Sequence, residues 1–139
     1  MTERLMLSTD AWRDDDPCVV GDFLRLALDA GLPADGYMIG SNGEGTPRGH
    51  QLTALRDLGE ADPKSHLVSL ETVLELHDQG ERLLDTHLQR GHVAFGIFDA
   101  STAYLIGPPD LVRVVAAQFP DAVVGEPDWY LVEPWSESD

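Results

Sequence analysis

Cysteine is nearly missing from this chain: Cys18 is the only one in 139 residues. A single thiol cannot close an internal disulfide, which excludes the stapled scaffold of a small secreted domain. Lysine is as scarce, with Lys64 alone, and Lys and Arg together number 9 against 25 Asp and Glu. The basic residues gather nowhere. Nucleic-acid binding rests on clusters that neutralise phosphates, and attraction to anionic bilayers on the same charges, so the sequence argues against both. No run approaches the roughly 18 apolar residues of a membrane helix. Met1 to Ser8 lacks a basic segment followed by a long apolar one, so no secretory signal and a cytoplasmic location are expected.

The usual signatures of chemistry are missing too. There is no Gly-x-Ser-x-Gly elbow, no Gly-Lys-Ser/Thr phosphate loop, no dinucleotide fingerprint and no Cys/His spacing of a zinc site. His50 and His66 fall in expected loops. His77 and His87 fall on different sides of an expected helix, and a helix end at Gly91 separates His87 from His92. No catalytic residue, metal or cofactor is expected.

What is present is acid on an ordinary globular framework. A chain of this length reads as one domain and can bury enough surface to fold without a staple. An apolar content of 42% argues against disorder, despite a net charge of −16. The carboxylates are spread along the whole chain. A field of that sign steers a basic protein partner in, although the same charge also serves solubility alone.

The densest apolar stretch runs from His92 to Val124. Val93, Phe95 and Ile97 alternate with Ala94, Gly96 and Phe98, as in a strand with one well-covered face, and Phe98 implies some cover on the other. Thr102 to Ile106 reads as the return strand, stopped by Gly107-Pro108-Pro109. Asp110 stands at the start of a helix reaching about Phe119. Its broad apolar face of Leu111, Val112, Val114, Val115 and Phe119 should lie flat on a sheet. Pro120 ends it before a short strand at Ala122 to Val124.

Earlier in the chain, Leu5 to Leu7 reads as a first strand. Asp14, Asp15 and Asp16 precede Pro17; three successive carboxylates do not converge on one point, and Asp16-Pro17 is a helix start. That helix runs to Ala30, with Gly31 closing it. Cys18 on its first turn reads as a packing residue. Tyr37 to Ile39 is a strand, followed by the glycine-rich loop from Gly40 to Gly49. Leu52, Leu55 and Leu58 permit a short helix before Gly59. A long helical pattern spans Ser69 to Gln89, with Gly80 as a break into two. Glu71, Glu75, Asp78 and Glu81 line its acidic side with Asp85. Trp129 to Val132 suggests an edge strand between Pro127 and Pro134; Trp129 and Trp135 among acids suit either a closing strand or a contact surface.

The pattern implies an α+β domain: a small mixed or antiparallel sheet with about three helices packed on it. Three functional expectations remain. The first is a non-catalytic acidic module, of immunity-protein or antitoxin type, that occludes the active site of a basic toxin or nuclease. Its contacts would come from Asp14, Asp15, Asp16, Glu71, Glu75, Asp78, Glu81, Trp129 and Trp135. The second is a small enzyme or ligand binder using the glycine-rich loop, with Ser41, Asn42 and Glu44 near His50. The third is a structural subunit that pairs with another copy of itself.

Overall fold

The computed structural model describes residues 4–11, 20–41, 47–91, 93–98 and 101–127. The elements follow in the order β1 (Leu5–Asp10), α1 (Val20–Asp29), β2 (Met38–Ser41), α2 (His50–Ala61), α3 (Leu70–Asp78), β3 (Thr86–Arg90), β4 (Val93–Phe98), β5 (Thr102–Gly107), α4 (Pro109–Ala116) and β6 (Val123–Gly125). The strands form one six-stranded sheet in the order β2-β3-β4-β5-β1-β6. Every pairing is antiparallel. The α+β class is therefore as expected; among the described residues there are four helices in place of about three, and the sheet is antiparallel throughout.

Strand alternation sorts the side chains by face. Ile39, Leu88, Phe95, Leu105 and Leu7 stand opposite one another in a single row across five strands. All five are fully buried in the main core, together with Phe23 and Leu24 of α1, Leu52 of α2, Val73 of α3 and Val112 of α4. Each such side chain contributes about 1.5–3 kcal/mol by leaving water. All four helices thus pack on one face. The opposite face carries a smaller cluster of Ala94, Tyr104 and Ile106, with Met6 packed against it. The cover on the second face of β4 that the pattern implied is therefore real.

The β4–β5 hairpin, α4 and β6 stand close to where the sequence places them. Gly31, at φ 93°, follows α1 in the left-handed conformation, as a residue beyond a helix end should. Val114 is the exception on α4: it is 53% exposed. The apolar stripe is narrower than the five-residue face implied, because Leu111, Val112 and Val115 alone suffice to seat an eight-residue helix.

Two segments differ more. The chain from Ser69 to Gln89 is not one broken helix. Helix α3 ends at Asp78, Gly80 turns at φ 99°, Asp85 turns at φ 48°, and Thr86 to Arg90 is a central strand. Leu83 and Leu88 are buried either way, which is why their spacing imitates a helix. Helix α2 begins at His50, so that residue lies on a helix and not in a loop, and it continues through Gly59 to Ala61. Gly59 is inside the helix because α2 rests there on the backbone of β2: a Cβ would collide with the carbonyl oxygen of Ile39. Among the described residues, no helix is long and apolar enough to cross a membrane.

Candidate functional site

Helix α3 carries the clearest charged face. Ser69 caps it, accepting the backbone N–H of Glu71 at 3.1 Å, and Leu70, Val73 and Leu76 turn inward. At 3.6 residues per turn that leaves Glu71, Glu75 and Asp78 together on the outside, all exposed. Like charges at this spacing repel by a few tenths of a kcal/mol.

Helix α1 lies beside α3 and enlarges the face. Arg25 Nη2 donates to Asp78 Oδ1 at 2.7 Å, and Arg25 Nη1 donates to Asp22 Oδ1 at 3.3 Å. Arg25 keeps half its side chain in solvent, and Asp78 about two-thirds. Such a pair adds at most about 1 kcal/mol. Its effect is geometric: it holds the outer edges of two helices in register. Among the described residues, the combined face presents Asp22, Asp29, Glu71, Glu75 and Asp78 together with Arg25.

The scarce cations are engaged elsewhere as well. Arg56, only 12% exposed in its side chain, meets Asp57 at 3.0 Å and Glu60 at 3.9 Å. Arg82 donates to the carbonyls of His77 and Glu81. Arg113 approaches Asp110 at 3.9 Å. These arginines are thus drawn into contacts within the fold, while most of the described carboxylates remain at the surface.

The expected contact residues separate into three groups. Glu71, Glu75 and Asp78 are brought together on α3. Glu81 leaves that stripe, because the helix has ended. Its carboxylate turns back to α2, accepting the backbone N–H of Leu52 at 2.8 Å and the side-chain amide of Gln51 at 3.1 Å. Gly49, at the N-cap of α2, has no side chain to do this, and Glu81 serves in its place at the positive end of the helix. Asp14, Asp15, Asp16, Trp129 and Trp135 lie outside the described residues.

Of the glycine-rich loop, the two ends are described and residues 42–46, including Asn42 and Glu44, are not. Ser41 donates its backbone N–H to Glu60 Oε1 at 2.9 Å. Arg48 exchanges backbone hydrogen bonds with Arg82 at 2.9 and 2.8 Å. His50 is exposed on the first turn of α2.

The sequence reading missed His87, since it placed that residue on a helix. His87 projects from β3 onto the second face of the sheet, in the row that contains Gly96 and Tyr104. It is 4% exposed. Burial pushes its imidazole down from the ordinary 6.5 to about 4, because a charged ring there would lose its water. Gln89 is buried beside it on the same face. With Leu88 as the one apolar residue of Thr86 to Arg90, the segment shows no period-2 alternation, and Gly80 was the one turn signal before it.

Among the described residues, no three His, Cys, Asp or Glu side chains are grouped closely enough to hold a metal ion. The fold and face together define a small antiparallel α+β protein with an acidic two-helix surface. No protein-family model, curated protein or solved structure matches the chain.

Proposed function

We propose that this chain is a non-catalytic acidic binding module that neutralises a basic protein in the cytoplasm, in the manner of an immunity protein or antitoxin. The observation that carries the reading is the α1–α3 face, where the described carboxylates Asp22, Asp29, Glu71, Glu75 and Asp78 lie on the outer sides of two neighbouring helices and Arg25 is paired with Asp22 and Asp78. A rigid pair of helices with that charge complements a positive groove. A net charge of −16 accelerates the encounter. Neutralisation would be steric: the carboxylates sit where a nuclease or similar toxin holds its substrate's phosphates, and the helices block entry.

The test is inhibition. The basic protein that the chain retains from its host is purified and its activity assayed with increasing amounts of the chain. Loss of activity at a one-to-one ratio is the expected result. Undiminished activity in a complex that demonstrably forms would refute neutralisation.

A further inference from the structure

The six-stranded sheet ends in β2 on one side and β6 on the other. The chain itself takes up the β2 side. Tyr37 and Val68 exchange backbone hydrogen bonds at 3.1 and 2.8 Å, and the backbone N–H of Ser41 donates to Glu60 Oε1 at 2.9 Å. Strand β6 is left bare. Val123 is 67% exposed, Val124 41%, and Gly125 is exposed with them. Among the described residues β6 pairs with β1 alone, so alternate N–H and C=O groups face outward. We propose that β6 takes up an extended segment of a second protein, in which two adjacent apolar residues are flanked by arginine or lysine. The edge is separate from the α1–α3 face, and its occupancy does not depend on neutralisation.

The apolar pair follows from the register. Val124 stands opposite Leu7 and so points to the helix-covered face, whereas Val123 stands opposite Ser8 on the second face. Two neighbouring residues of an added strand would cover one valine each. The flanking charge follows from what surrounds β6. Asp10 and Glu126 are exposed, and among the described residues neither carboxylate is engaged by a hydrogen bond or an ion pair. From Val114 to Asp139 the sequence contains no Lys, Arg or His. Beside Val123 the second face opens into a groove of about 240 Å³, whose lining includes Ser8, Asp10 and Thr102. A long cationic side chain would lie there with its head at Asp10. A second copy of the chain is the wrong occupant. Each copy carries a net charge of −16, and a three-residue edge set among acids repels its own kind, the ordinary protection of a sheet edge. A segment of opposite charge meets no such barrier.

The experiment titrates a capped peptide, Arg-Thr-Val-Val-Thr-Arg, into the full chain and follows backbone amide shifts and the dissociation constant. Main-chain hydrogen bonds carry the affinity in strand addition, so the amides of Val123, Val124 and Gly125 should shift. A copy methylated on both valine nitrogens keeps every side chain and should bind about tenfold more weakly. A copy with glutamate at both ends should not bind. Asp10→Asn/Glu126→Gln should weaken the first peptide about threefold. Asp35→Asn/Asp62→Asn removes the same charge from exposed positions in the loops flanking β2 and should change it less than about twofold. Equal binding of the methylated peptide, or equal losses from the two double variants, would reduce the contact to general attraction between charges and overturn the docking edge. So would β6 amides that stay unmoved at millimolar peptide, or that shift when the chain alone is concentrated, the mark of a second copy.

Discussion

Glu81 Oε1 accepts the backbone N–H of Leu52 at 2.8 Å, so the start of α2 is completed by a residue 29 positions away. A carboxylate in that role stabilises the helix twice, by satisfying a free donor and by opposing the helix dipole. Glu81→Ala should therefore lower stability by about 1–2 kcal/mol, close to the loss of an ordinary N-cap. Glu75→Gln, on the exposed stripe of α3, should leave stability within about 0.5 kcal/mol of wild type. Chemical denaturation of the two variants checks the contrast. Equal effects would mean that the two acids do not differ as structural and surface residues.

Gly59 offers a sign inversion. Alanine in place of a helical glycine ordinarily stabilises by up to about 1 kcal/mol. Here the new methyl would strike the carbonyl oxygen and Cγ2 of Ile39, separating α2 from β2. Gly59→Ala should destabilise by about 1–3 kcal/mol, as overpacking does. A thermal melt that rises on this substitution would contradict the close approach of helix and strand.

His87 makes a pH prediction. Its folded pKa of about 4 lies below the unfolded value of 6.5, so the unfolded chain takes up the proton first as pH falls. Stability should decline from about pH 6.5 to about pH 4 from this group, by up to about 3 kcal/mol, and not further below. His87→Gln removes that step. Carboxylates titrate in both proteins, so the difference between their two stability–pH curves isolates the histidine. Parallel curves would show that His87 is not buried as a neutral ring.

The same residue shows where sequence reasoning stops. The β4–β5 hairpin was legible because Val93, Phe95 and Ile97 alternate cleanly and Pro108-Pro109 stops the second strand. Strand β3 was not. Leu83, Leu84 and Leu88 fit a helical spacing as well as a strand's. The decisive features were the turns at Gly80 and Asp85, and Asp85 takes a left-handed conformation that few non-glycine residues adopt. The acidic stripe was half legible: periodicity placed Glu71, Glu75 and Asp78 together. The contribution of α1 and the diversion of Glu81 depend on which helices become neighbours, and local pattern carries no such information. Gly59 misled for the same reason, since a close helix–strand contact looks in sequence like a helix stop.

The acidic face should act on association more than on folding. Neutralising Glu71 and Glu75 as glutamines relieves a like-charge contact on α3, so stability should hold or rise slightly. Association with a basic partner should slow and lose part of its dependence on salt. Kinetics at low and high salt would register this, and an unchanged rate would remove the stripe from the interface.

The most direct measurement is affinity capture from the source cells at low salt, run in parallel with wild type and the Glu71→Gln/Glu75→Gln variant, with mass spectrometry of what elutes as salt rises. The expected result is one basic protein that leaves the wild type only at elevated salt and leaves the variant earlier. Retention of no basic protein, or identical elution from both, would contradict a function built on the α1–α3 face.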